Sequence, residues 1–139
     1  LSTLFAAALA GLGLSQSEAA AYLDVRPDTV KSWCSGRRTP APGAWAALHA
    51  LARKQRLAAE AIVASIGEAK SIAGEPPAII ELAHPSAAEI RRRGWPCEGV
   101  FVAVVRRAWE AGDGAPIRLV ERGSTEAVRA AERIRRLTE

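Results

Sequence analysis

The sequence predicts a mainly α protein: an N-terminal five-helix domain over residues 1–70, a linker over 71–77 and a small α+β domain of order β-α-α-β-α over 78–139. Three observations carry this. Alanine makes up much of a 49% hydrophobic share, set against 24% charged residues, a balance that favours folded helical structure. Up to residue 70 the larger apolar residues recur three or four positions apart, the period of a half-buried helix. Beyond SIAGEPP at 71–77, where Gly and a Pro pair interrupt that period, two short runs alternate apolar and polar as strands do. A chain of 139 residues holds one ordinary domain or two small ones, and the shift in pattern favours two.

The first helix spans about residues 2 to 12, with Leu4, Phe5, Ala8, Leu9 and Leu12 on one stripe and Gly11 and Gly13 ending it. Ser15 opens a second helix, Gln16 to Leu23, through the S-x-x-E pattern: its hydroxyl takes one orphan N–H while Glu18 reaches back to another. A tight turn follows at Asp24 and Val25. The third helix starts at Pro27, whose missing N–H costs nothing in a first turn, and Asp28 suits the positive end of its dipole. Val30 and Trp33 point inward and Gly36 stops it. TPAPG at 39–43 then bends the chain into helical structure bearing Trp45, Leu48, Leu51, Leu57, Ile62 and Ile66, as one helix or two.

In the C-terminal part AIIELAH at 78–84 reads as a strand, Pro85-Ser86 as the start of a short helix ending RRRG, Pro96 as the start of a longer one, PIRLVE at 116–121 as a second strand, and Ser124 as the cap of a last helix. The long helix has an apolar face of Val100, Phe101, Val104, Val105, Ala108 and Trp109, wider than two short strands cover. That excess places Val100, Phe101, Val104 and Trp109 at a subunit interface.

The net charge of +4 matters less than its distribution. Between Arg26 and Arg56 the cations Arg26, Lys31, Arg37, Arg38, Arg53, Lys54 and Arg56 face one acid, Asp28, a local basic patch. Cys34 and Cys97 are too far apart in sequence for a CxxC pair and too few for a disulfide framework, which fits reduced thiols in a cytoplasm. With His49 and His84 they match a zinc site in number but not in spacing, so neither metal nor cofactor is expected. LSTLFAAALAGLGL imitates the core of a signal peptide but lacks a basic leader. No apolar run approaches the roughly 20 residues of a membrane span. Leu rather than Met at position 1 leaves room for a longer native N-terminus. Neither a catalytic constellation nor a phosphate-binding glycine loop occurs, and no enzyme is expected.

A short helix with small Ala20 at the crossing point, a turn at Asp24, then a helix that buries Val30 and Trp33 is the spacing of a helix-turn-helix. The run GLSQSEAAAYLDVRPDTVKSWCSGRRTPAP resembles the phage-repressor/Cro-type (XRE-like) helix-turn-helix family. The shared marks are L-S-Q opening helix two, A-x-x-L before the turn, V after it, V-x-x-W and the S-G-R-R exit. The resemblance runs unbroken from Leu14 to Pro40 and extends to about residues 2 to 68. It departs from the family in Asp24 where Gly is usual, Arg26 in place of a Ser or Thr cap, and Cys34 where Glu is frequent.

The resemblance implies that Gln16, Lys31, Ser35, Arg37 and Arg38 contact the backbone of double-stranded DNA, and that Arg26, Asp28, Thr29 and Ser32 read bases in the major groove from helix 27–35. Arg26 would fork onto guanine, Asp28 accept from cytosine, and the Thr29 methyl touch thymine. Since one recognition helix reads few bases, a cytoplasmic homodimer on an inverted repeat is expected. The alternative is an antitoxin-like or adaptor protein whose C-terminal domain binds another protein, with DNA binding for autoregulation. Arg91, Arg92 and Arg93 stand at a helix C-terminus, where cations suit the dipole in any case.

Overall fold

The computed structural model describes residues 3–73, 79–121 and 137. It comprises α1 (Leu4–Leu12), α2 (Gln16–Leu23), α3 (Pro27–Ser35), α4 (Pro42–Ala73), β1 (Ile80–His84), α5 (Ala87–Arg92), α6 (Glu98–Ala111) and β2 (Ile117–Glu121). Among these residues the β-α-α-β part of the C-terminal reading appears; the expected last helix after Ser124 lies outside the described residues, as do residues 74–77 of the expected linker.

The N-terminal part has four helices up to Ala73, not five. What could have been two segments is a single 32-residue helix, α4. Between Ala44 and Ala73 there is no Pro, and Gly67 is the one glycine; exposed, it costs about 1 kcal/mol, too little to break a helix that packs along its length.

That length explains a second correction. Val100, Phe101 and Val104, expected at a subunit interface, are buried within the chain. The most extensive packing between helices is α4 on α6, with α1 also against α6. The wide apolar face is therefore covered by α4, and of the four expected interface residues only Trp109 is exposed, at 47%.

One apolar core results, running from Phe5, Leu9 and Leu12 through Val30, Trp33, Leu48 and Leu51 to Ile90, Trp95, Val100, Phe101 and Val104. Gln55 of α4 is fully buried at its centre, donating from Nε2 to Leu12 O at 2.9 Å and Val100 O at 3.2 Å and so tying α1, α4 and α6 together. At the same junction the backbones of Gly13 and Gly99 touch: a Cβ on Gly99 would lie 2.3 Å from Gly13 O, and one on Gly13 2.1 Å from Gly99 O. Gly13 also closes α1 with φ 83°, a conformation that suits glycine.

Beyond the helices, β1 and β2 form a two-stranded parallel sheet with Ile80 opposite Ile117 and His84 opposite Glu121. Parallel pairing follows from the α5–α6 crossover, which returns the chain to its starting edge. Arg118 pairs with Glu81 directly across the strands, and His84 Nε2 lies 3.1 Å from Glu98 at the start of α6.

Candidate nucleic-acid interface

The interface is assembled from α2, the turn and α3, and each element begins and ends on a local chemical signal. At Ser15 both halves of the capping box are made: Glu18 N–H donates to Ser15 Oγ at 3.1 Å and Ser15 N–H to Glu18 Oε1 at 3.0 Å. The Ser15 backbone N–H, then its hydroxyl, hold the Glu18 carboxyl below the usual carboxylate range; burial opposes this, and the Cys97 thiol adds a smaller lowering. Gln16, the first residue of α2, is exposed.

Helix α2 ends on Asp24, which takes the left-handed conformation at φ 53°, ψ 50°, and its N–H and that of Val25 close onto α2 carbonyls. Asp adopts this region more readily than most residues, so the turn keeps its shape without the usual glycine. Arg26 caps α3 without any side-chain hydrogen bond, and Pro27 follows at the first helical position. The tight approach of α2 to α3 uses Ala19 and Ala20, both buried.

The inner side of α3 is anchored by Val30 and Trp33. Phe5 meets the Trp33 and Trp45 rings edge-on, each at 5.4 Å between centroids. Thr3, which the sequence reading passed over, adds a polar clamp: its hydroxyl caps α1 by accepting from Ala6 N–H at 3.1 Å and donates to Cys34 O at 2.9 Å at the end of α3. A Thr just before an apolar stripe is a cap signal, and it was the legible clue. The Cys34 thiol packs into this core, where burial raises its pKa and keeps it protonated.

With its back fixed, α3 turns a polar outer surface away from the core. Arg26, Asp28 and Lys31 are exposed, Thr29 is half-buried, and among the described residues no hydrogen bond or ion pair engages the side chains of Arg26, Asp28 or Lys31. Ser35, Arg37 and Arg38 surround the exit at Gly36, all exposed. Ser32 departs from the expectation. Helical spacing turns it about 200° from Val30, toward the outside, yet it is 8% exposed because Arg37 closes over it, donating to Ser32 Oγ at 3.2 Å. Its carbonyl also accepts from Ser35 Oγ and Arg38 N. Ser32 thus organises the exit loop, and a base could reach it only after Arg37 moved aside.

The basic patch read between Arg26 and Arg56 divides in two. Arg26, Lys31, Arg37 and Arg38 sit around α3, while Arg53, Lys54 and Arg56 lie at least about 16 Å along α4 from its start at Pro42. Lys54 serves another corner altogether, donating to Arg93 O at 2.8 Å with its ammonium 4.3 Å from the Trp95 ring centre. Among the described residues no group of three or more His, Cys, Asp or Glu is placed to hold a metal ion, and no helix is long and apolar enough to cross a membrane.

A family model for the helix-turn-helix, of the XRE type, matches residues 6–51, from within α1 to the first half of α4. It takes in the whole α2–turn–α3 unit and leaves the strands, α5 and α6 outside. No curated protein matches the chain.

Proposed function

From an N-terminal half that is an XRE-type helix-turn-helix domain of a DNA-binding transcriptional regulator, we propose that the chain works as a homodimer on an inverted repeat, with α3 in the major groove. The observation that carries this reading is the outer face of α3, where the side chains of Arg26, Asp28 and Lys31 engage no hydrogen bond or ion pair among the described residues, on a helix whose opposite side is pinned by Val30, Trp33 and the Thr3 clamp. A rigid rod with free donors and acceptors can meet base edges without first breaking contacts of its own. Arg26, Asp28 and Thr29 read bases; Gln16, Lys31, Ser35, Arg37 and Arg38 hold phosphates, Arg37 doubling as the brace of Ser32.

Pairing of subunits uses the surface around Trp109. With Val100, Phe101 and Val104 spoken for, α6 and β2 still frame an open groove of ≈ 500 Å³, lined by Val102, Val105, Trp109, Ile117 and Leu119. A homodimer on an inverted repeat needs its two recognition helices about 34 Å apart, one duplex turn. The same groove favours the second reading, a protein partner of different sequence on the C-terminal half. Native mass measurement separates them: a mass of two chains that falls to one on Trp109→Glu supports the homodimer, and copurification of a different chain lost in the same variant supports the adaptor.

The DNA test is footprinting on the region flanking the protein's own gene, with Arg37→Ala/Arg38→Ala alongside. Loss of two phosphate contacts weakens binding to every sequence and flattens the slope of log affinity against log salt by about 1.8, at about 0.9 per contact. Undiminished affinity for bulk DNA in that variant would remove both arginines from the interface. Thr29→Ala instead shifts sequence preference, by about 1–3 kcal/mol at one base pair.

A further inference from the structure

We propose that the corner between α5 and α6 is a second contact for the DNA backbone, carrying the phosphate track of α2 onto the C-terminal unit; the proposal rests on the helix-turn-helix reading above. Arg91, Arg92 and Arg93 are exposed at the end of α5. The acid of that helix, Glu89, is turned inward at 8% exposure, held by the Ser86 cap and paired with Arg93 at 3.6 Å. Arg91 spends only its Nε on Ala87 O, at 3.4 Å, and Arg92 has no hydrogen bond or ion pair among the described residues. The corner is stiff as well as basic. Lys54 of α4 joins it from below, bonding Arg93 O while its charge rests on the Trp95 ring, and Trp95 is itself buried.

Its position is what points to DNA rather than to an acidic protein. The chain leaving this corner passes directly behind the start of α2: Cys97 Sγ lies 3.8 Å from Gly13 O, its thiol also reaches the Glu18 carboxylate, and Gly99 interlocks with Gly13. Gln16, the first phosphate contact of α2, is two residues from Glu18, and Arg93 is four from Cys97. Chain geometry limits the distance from Gln16 to Arg93 to about 30 Å, less than the roughly 34 Å of one duplex turn. A strand held at Gln16 and continuing along the duplex meets the arginines within that turn. Phosphate, spaced regularly along the strand, matches side chains that supply charge without a pocket.

The experiment measures full-length protein on a 30-bp random-sequence duplex by fluorescence anisotropy across a salt series. Arg91→Gln/Arg92→Gln should flatten the salt slope by about 1.8, about 0.9 per lost contact, while Arg91→Lys/Arg92→Lys keeps the wild-type slope because charge, not fork geometry, does the work. If the glutamine pair melts early by circular dichroism, Arg92→Gln alone reads the same effect at half the size. An unchanged slope in folded glutamine variants overturns the second contact, and if Arg37→Gln/Arg38→Gln still loses slope the helix-turn-helix reading survives it. A wild-type protein that binds no duplex at any salt overturns both.

Discussion

Helices α3 and α6 are both amphipathic, and both put their apolar stripe into the same core, but they leave different things outside. On α3 the outer face is polar, with Arg26, Asp28, Lys31 and Ser35 around Pro27–Ser35. On α6 the outer face mixes Val102 and Trp109, 42% and 47% exposed, with Arg106 and Glu110, which pair with each other at 3.6 Å. The charged groups of α6 are partly satisfied within the helix, and its apolar ones are not. Those of α3 are the reverse. A polyanion in water suits the first surface and an apolar protein surface the second, which is the division of labour the proposed reading requires.

The contrast holds only if both helices stand on common ground, and the strongest way to break it is to remove that ground. Phe5 is 2% exposed and touches both Trp33 and Trp45. Phe5→Ala should cost about 3–5 kcal/mol. Since α1 also supports α6, tryptophan fluorescence and far-ultraviolet circular dichroism should fall together in a single transition at lower denaturant. Two separated transitions would mean that the halves fold independently and that the shared core is not what orients them.

How far these faces were legible in the sequence depends on the range of the interaction behind them. The caps at Ser15 and Ser86, the start at Pro27, the stop at Gly36 and the left-handed turn at Asp24 are all decided within a few residues, and each stands where the pattern placed it. The apolar stripe of α6 was equally visible, but a stripe says only that something covers it. It could not say that α4, continuing unbroken to Ala73, was the cover for Val100, Phe101 and Val104. Ser32 fails for a related reason: periodicity gave its direction, and only the folded loop brings Arg37 over it. Lys54 belongs to the basic run by sequence distance alone, while the Trp95 ring that its charge rests on lies far along the chain.

A gentler break lies at the joint itself. Gly99→Ala would place a methyl 2.3 Å from the Gly13 carbonyl oxygen, a backbone atom that moves only if α1 and α6 part. Overpacking of this kind costs about 1–3 kcal/mol. The expected signature is selective: amides around Gln55, whose bonds to Leu12 and Val100 span the joint, exchange hydrogen faster, while those behind Val30 and Trp33 stay protected. Uniformly faster exchange would show that α3 is not held independently of the joint.

The finest comparison sets the two capping boxes against each other, Ser15 with Glu18 and Ser86 with Glu89, alike in bonding but not in surroundings. Glu18 is partly exposed, and the Ser15 backbone N–H above all holds its carboxyl below the usual range. A carboxyl depressed in the folded state adds stability above its unfolded pKa of about 4.3, and that stability is lost as pH falls through the folded value. Glu18→Gln keeps an acceptor for Ser15 N–H but no charge. It should therefore cost under about 1 kcal/mol at pH 7, solvent screening keeping the figure small, and nothing once acid has protonated the wild-type carboxyl. Thermal melts of both proteins from pH 7 to pH 3 should converge at the acid end. Parallel curves across that range would mean that the charge of Glu18 contributes nothing and that the neutral hydrogen bonds of the capping box hold the helix carrying Gln16.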